Sequence, residues 1–336
     1  MSFSPTVCIV SLGPGTSALT PTIVDPPRVP ARVTTVRKQF DARAARFGAH
    51  DALVREVGRR MVERFELIRF VPERIADVGC GAGGVRAALR QRFPRARWVG
   101  IDLSTAMLAR GHDTARGSRS TLRRWFGGSD GDAWICADAA QLPLADGAVD
   151  LVFSNLMPHW HPRPHTLFPE WKRVLRTDGL LMFSTFGPDT LKELRAAVGR
   201  SLPAAMPMPF VDMHDFGDML VAAGFATPVM DVEILRLTYT SPRALLRELR
   251  ALGGNARDDR PSGLPSTAQV HALLAALDAQ RGHDGRIGVT FEVAYGHAWR
   301  PALPAHAKKA IAETNAQTAV SLAELRAQLR ETSRRR

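Results

Sequence analysis

The sequence predicts an α/β fold in which a mostly parallel sheet is covered by helices on both faces. Three observations predict it. Strand-like apolar runs alternate with helical periods through the middle of the chain. The first clear strand runs straight into a glycine-rich turn and a helix. Polar residues, most of them acids, then recur at the ends of successive strands, so they gather at one edge of the sheet.

Taken in order, residues 1 to about 33 are rich in Pro, Ser, Thr and Gly and show no sustained period, so residues 1–35 are expected to be a flexible leader. From Val36 to Phe70 the pattern is helical, with Phe40, Ala44, Phe47, Leu53, Val57 and Met61 at mixed spacings, and Pro72 ends it. Strands are expected at Ile75–Val78, Trp98–Ile101, Trp134–Ala137, Leu151–Ser154 and Leu180–Thr185. Helices fall between them at Gly84–Arg92, Thr105–Gly111 and Leu167–Leu175, and another at Phe216–Ala223. Two further strands, Val229–Tyr239 and Val289–Trp299, bring the total to seven. They flank a helical insertion (241–286) with helices at Pro242–Leu252 and Thr267–Gln280, joined by the loop RDDRPSGLP. The α/β domain is therefore expected over 36–300, followed by a basic, partly helical tail at 301–336.

Composition narrows the class. Of 336 residues, 45% are hydrophobic, which excludes wholesale disorder. No run approaches the roughly 20 apolar residues of a membrane helix. The first 25 residues lack a secretory signal's basic and apolar regions, and the first Arg is Arg28, too late for a transit peptide. A cytoplasmic location is expected. Cys8, Cys80 and Cys136 are too few and too scattered for a disulfide framework or a thiolate zinc site. The net charge of +12 comes mostly from arginine and is dispersed, whereas a nucleic-acid binder concentrates its charge. The exception is the end of the chain, where eight basic residues from Arg300 onward face only Glu313, Glu324 and Glu331.

The glycine-rich turn carries the chemistry. Strand Ile75–Val78 leads into Gly79-Cys80-Gly81-Ala82-Gly83-Gly84. Gly79, Gly81 and Gly84 satisfy the dinucleotide spacing G-x-G-x-x-G, while Gly79, Gly81 and Gly83 satisfy G-x-G-x-G. Both read as a nucleotide-like cofactor held close to the backbone. Asp77 lies inside the strand, where a pyrophosphate gains nothing from it but an amino group and a sulfonium do. Asp102 closes the second strand, the position from which an acid takes a ribose diol. Asp138 closes the third and Asn155 the fourth.

The segments DVGCGAGG, GIDLS, ADAAQLPLADGAVDLVFSN and RVLRTDGLLMFSTF together resemble a class I S-adenosylmethionine-dependent methyltransferase, with its Rossmann-like sheet and antiparallel last strand. VRKQFDARAARFGAHDALVREV, GLLMFSTFGPDTLKELR and FEVAYGHAW narrow the resemblance to malonyl-acyl-carrier-protein O-methyltransferase, the BioC family of biotin synthesis. The resemblance implies S-adenosylmethionine as cofactor, with Asp77, Gly79, Gly81 and Gly83 at its methionine end. It puts Asp102 at the ribose, Asp138 and Ala139 at the adenine and Asn155 near the reacting centre, with Leu103 also among the cofactor-binding residues. Family members methylate the free carboxylate of a malonyl thioester on an acidic acyl-carrier protein, so that elongation can extend it towards pimeloyl. Phe47 departs from a Tyr common in the family. The FGxDTLxELR pattern also resembles the mitochondrial complex I assembly factor, which implies the alternative of a protein-directed hydroxylase or assembly factor.

A carboxylate acceptor is ionised at neutral pH, so no general base and no catalytic dyad are expected. The acceptor does need a cationic clamp, and Arg195, after the fifth strand, is one candidate for it. His159 and Trp160 follow the fourth strand and are expected at the substrate entrance. His159, His161 and His165 have no recurring carboxylate or thiolate at ligand spacing, so no metal is expected. Thr190 and Glu193 fit a capping box. The Met- and Pro-rich segment 204–213 fits either a lid over an acyl arm or a packed loop. Arg243, Arg247 and Arg250 share one helical face and are expected to dock the acidic carrier protein.

Overall fold

The computed structural model describes residues 31–117, 132–199, 207–253 and 265–302. The leader before residue 31, the start of the 204–213 segment, most of the loop RDDRPSGLP and the tail from residue 303 lie outside the described residues. The described residues up to Arg300 belong to one unit.

Seven strands form one sheet in the order β3-β2-β1-β4-β5-β7-β6. They are β1 (Arg74–Val78), β2 (Arg97–Asp102), β3 (Ala133–Cys136), β4 (Val149–Ser154), β5 (Leu175–Phe186), β6 (Ala226–Tyr239) and β7 (Ile287–Trp299). Pairing is parallel from β3 to β5, and β7 runs antiparallel to both its neighbours. Alternation along the strands makes the sheet two-faced. Leu151, Phe153, Leu180 and Met182 enter one apolar cluster, while Val152, Leu181 and Phe183 enter the other.

Helices cover each face. On one side lie α2 (Ala52–Glu63), α3 (Arg86–Arg92) and α6 (Lys192–Val198), contributing among others Met61, Leu89 and Leu194. The insertion helices α8 (Pro242–Ala251) and α9 (Thr267–Asp278) join them through Leu245 and Leu277. On the other side α5 (Leu167–Val174) and α7 (Met213–Ala222) bury Phe168, Trp171, Phe216 and Leu220. Complete burial of these side chains is worth roughly 1.5–3 kcal/mol each. α4 (Thr105–Gly117) follows β2.

Two expectations change. The helix expected over Val36–Phe70 is two helices. α1 (Ala31–Phe47) starts inside the expected leader, and α2 ends in a single 3₁₀ turn at Arg64–Glu66. Gly48 follows Phe47 directly, and the His50 N–H bonds back to the Phe47 carbonyl at 2.9 Å, closing a turn between the helices. The capping box does not form either. Leu191 takes a left-handed conformation (φ 61°), so α6 starts after it. Thr190 instead exchanges hydrogen bonds with the Glu292 backbone, and Glu193 accepts from the Thr290 N–H at 2.9 Å, which fastens α6 to β7.

The end of the sheet away from the glycine turn is closed by a buried carboxylate. Asp150 accepts from the Glu73 and Arg74 N–H groups at 2.8 and 2.7 Å, and from Arg176 Nε at 2.5 Å. Replacing it with Ala takes the acceptor from two backbone N–H groups and the carboxylate from the Arg176 guanidinium. Asp150→Ala is expected to cost about 3 kcal/mol of unfolding free energy in denaturant titration, with cofactor affinity unchanged because the site lies at the opposite edge.

Candidate active site

The strand order reverses between β1 and β4: the chain leaves β1 for β2 on one side and returns to β4 on the other. Ligands of open α/β sheets bind outside the carboxyl ends of strands at such a switch point. A cavity of about 440 Å³ opens there, within the size range of small-molecule sites. Every residue expected at the cofactor lines it: Asp77, Gly79, Gly81, Gly83, Asp102, Leu103, Asp138, Ala139 and Asn155. His159 and Trp160 line it too. Arg195 does not; its guanidinium turns back to the Pro188 carbonyl in the segment that precedes its own helix, so its expected role as the clamp is withdrawn.

The turn uses the G-x-G-x-G spacing. Gly79, Gly81 and Gly83 adopt φ of 76°, 55° and 73°, whereas Gly84 has no positive φ. A Cβ at Gly79 would also stand 2.3 Å from the Met157 side chain, so glycine is required there twice over. Asp102 accepts the Gly81 N–H and the Ser104 N–H, each at 2.8 Å, which fixes its carboxylate at the mouth of the turn. Burial raises its pKa, and those two N–H groups offset part of the rise.

Asp77 is different. It sits in β1 between Gly100 of β2 and Phe153 of β4, is 2% exposed, and its Oδ2 has no hydrogen-bond partner. Burial pushes its pKa up to about 7; the Trp98 indole N–H eases the rise and the Asp102 charge adds to it. A buried carboxyl left without a partner is costly unless a ligand completes it. Its unmet need is for a cation or a donor, which is what the ammonium of an amino-acid moiety offers. The same burial, with the Asp77 and Asp102 charges, holds the Cys80 thiol protonated, so it is no nucleophile.

The remaining polar groups are partly engaged by the protein. Asn155 donates to the Val54 carbonyl at 2.8 Å and accepts from Ser184 Oγ at 2.9 Å, tying β4 to α2 and β5. Asp138 accepts the Ala140 N–H at 2.9 Å and faces His161 Nε2 at 3.6 Å. Burial raises its pKa, but His161, the Ala140 N–H and Arg163 outweigh that and leave it below the usual carboxylate range. His159 packs against Trp160, Phe186 and Phe210, and His165 is exposed, so the three histidines do not converge. Among the described residues no group of three His, Cys, Asp or Glu is placed to hold a metal ion.

One whole wall of the site is absent from the expectations drawn from sequence. α1 lies across the cavity, lining it with Val33, Val36, Arg37, Phe40, Ala44 and Phe47. It is pinned by Asp41, which accepts from Ser104 Oγ at 2.6 Å, and by Arg43, which donates to the Gly253 carbonyl at 2.8 Å. Phe40 meets Trp160 edge-to-face at 5.2 Å. Arg37, Arg55 and Arg110 also line the cavity and supply the cations that Arg195 does not.

Residues 76–183 match the methyltransferase domain family. The chain is 47% identical over 268 residues to the malonyl-[acyl-carrier protein] O-methyltransferase of Laribacter hongkongensis, spanning 80% of this chain and 89% of that one. The protein of the same name from a Methylovorus species is 42% identical over 267 residues (79% and 88% of the two chains), and that of Legionella pneumophila 37% over 268 residues (80% and 90%). With this identity spread over the domain that builds the cavity, the chain belongs to the malonyl-[acyl-carrier protein] O-methyltransferase family of S-adenosylmethionine-dependent methyltransferases.

Proposed function

We propose that this protein methylates the free carboxylate of a malonyl thioester on an acyl-carrier protein, an early step towards the pimeloyl part of biotin. The observation that carries the donor side is the buried Asp77 carboxyl at the switch-point cavity, whose Oδ2 has no hydrogen-bond partner. The acceptor side rests on the relatives named for that substrate. We place the reaction in the cytoplasm; no helix among the described residues is long and apolar enough to cross a membrane.

S-adenosylmethionine bound here would supply a methyl group on a sulfonium: the acceptor carboxylate would bond to that carbon in line as the carbon–sulfur bond breaks, and neutral S-adenosylhomocysteine would leave. In our reading Asp77 holds the ammonium at the methionine end, and the positive-φ glycines let the backbone approach. Asp102 presents its carboxylate to the ribose hydroxyls, while Leu103, Asp138 and Ala139 form the adenine end. Asn155, braced from both sides, shapes the wall between the two reactants. No side chain has to remove a proton, because a carboxylic acid is already ionised at neutral pH. The work of the chain is orientation and exclusion of water. Val36, Phe40 and Phe47 supply the apolar cover, and we assign the acceptor's clamp to the cavity arginines Arg37, Arg55 and Arg110. His159 and Trp160 stand at the acceptor's entrance. The competing hydroxylase resemblance rested on FGxDTLxELR, whose Thr190 and Glu193 are used to fasten α6 to β7.

Labelled S-adenosylmethionine incubated with malonyl- and acetyl-acyl-carrier protein tests this. Label is expected on the malonyl substrate alone. Label on neither, with cofactor binding intact, rejects the reading.

Asp77 gives a second expectation. Its raised pKa means the folded chain holds a proton that the unfolded chain has lost between the ordinary carboxylate range and about pH 7. The free fold therefore loses stability as pH rises through that window and levels off above it. Asp77→Asn should raise the unfolding free energy at pH 8 by roughly 2–4 kcal/mol while abolishing the thermal shift that S-adenosylmethionine produces. In the wild type, cofactor affinity measured by calorimetry should climb with pH below 7, by up to about tenfold per unit, then flatten.

A further inference from the structure

A second concave surface lies behind the cavity's own walls. It is a groove of about 660 Å³ between α1, α8 and α9, and among the described residues no Asp or Glu lines it. Arg43 and Arg46 enter it from α1, His50 from the turn after that helix, and Arg243, Arg247 and Arg250 from α8. Its floor is apolar, built from Leu246, Val270 and Leu274.

What sets this surface apart is the clustering of its cations. Many arginines of the molecule are matched, Arg59 and Arg60 with Glu56, Arg64 with Asp231, Arg86 and Arg90 with Asp132, Arg173 with Glu170, Arg176 with Asp150 and Arg281 with Asp278. Among the described residues Arg46, Arg243, Arg247 and Arg250 have no carboxylate partner. Like charges gathered without counter-charges cost the free protein energy, and an acidic partner recovers it.

The groove also borders the site through shared elements. On α1, Phe40 and Ala44 face the cavity while Arg43 and Arg46 face the groove. At the end of α8, Leu252 lines the cavity while Arg250 and Ala251 line the groove. Arg43 reaches across to the Gly253 carbonyl, and Trp160 packs where a side chain on Gly253 would stand. A partner seated on the groove therefore abuts the two elements that wall the cavity.

Resting on the function proposed above, we infer that this groove docks the carrier protein: an acidic helical face meets the α1 and α8 arginines, its apolar residues rest on Leu246, Val270 and Leu274, and its thioester arm enters past Trp160. The apolar floor suits a protein surface, whereas a phosphate backbone gains nothing from it.

The double variant Arg243→Glu/Arg247→Glu tests this, with Arg243→Gln/Arg247→Gln beside it. The wild type is assayed first on malonyl-acyl-carrier protein and on malonyl-pantetheine, which carries the same acyl group without the protein. Labelling of neither by the wild type defeats the functional reading and the docking site with it. The docking site predicts that KM for the carrier-protein substrate rises about tenfold or more in the charge-reversed variant, and less in the neutral one. Its salt dependence should weaken in parallel. Activity on malonyl-pantetheine, S-adenosylmethionine affinity and melting temperature should stay at wild-type values. An unchanged KM overturns the site, as does an equal loss on both substrates. A short RNA that binds the wild type as tightly as the carrier protein does also overturns it, in favour of a nucleic-acid surface.

Discussion

A buried carboxyl group with one oxygen left unpaired is the constraint around which this structure is arranged. Asp77 lies in a central strand, flanked by Gly100 and Phe153, with one oxygen unmatched. Burial there is paid for only when a cation arrives, so the free fold carries a cost that bound cofactor relieves. The surrounding features keep that cation's place shaped and dry. At Gly79, Gly81 and Gly83 the turn has no side chain to intrude, and Asp102 is held by two backbone N–H groups. Asn155 spans from α2 to β5 and cannot swing in.

α1 turns the open sheet edge into an enclosed site. Its apolar face covers the cavity and its arginine face lines the groove, so one helix relates the cofactor chamber to the surface where a carrier would sit. The helix is attached through a few polar contacts, chiefly Asp41 to Ser104 and Arg43 to Gly253, rather than through the apolar clusters that bind α2 and α5 to the sheet. Elements fastened this way are the ones that open most readily. An enzyme that must admit a cofactor and a protein-borne thioester to one chamber needs a wall of that kind.

Much of the arrangement was legible in the sequence. Strand alternation predicted the seven strands, and residues at strand ends predicted the cofactor edge, because a parallel sheet places all its carboxyl ends together. What the sequence left open depended on direction. Two glycine spacings overlapped in one turn, and only backbone φ at Gly83 and Gly84 separates them. Phe40, Ala44 and Phe47 repeat as a core stripe does, whether they face packed side chains or a cavity, so α1 read as an ordinary helix. The six-residue gap between Phe47 and Leu53 was the sign of the break after it. Arg195 was close to the site in sequence but turns back to Pro188, ahead of its own helix. Thr190 and Glu193 matched a cap whose geometry the left-handed Leu191 prevents.

The decisive experiment is the titration of the Asp77 carboxyl itself, followed by carbon NMR of selectively labelled protein with Asp77→Asn to assign the signal. In the free protein the midpoint should lie near 7. On saturation with S-adenosylmethionine it should fall well below that, because the ligand's cation favours the carboxylate. A free-protein midpoint in the ordinary carboxylate range near 4, or one that does not move on binding, would mean that Asp77 is not the group the cofactor completes.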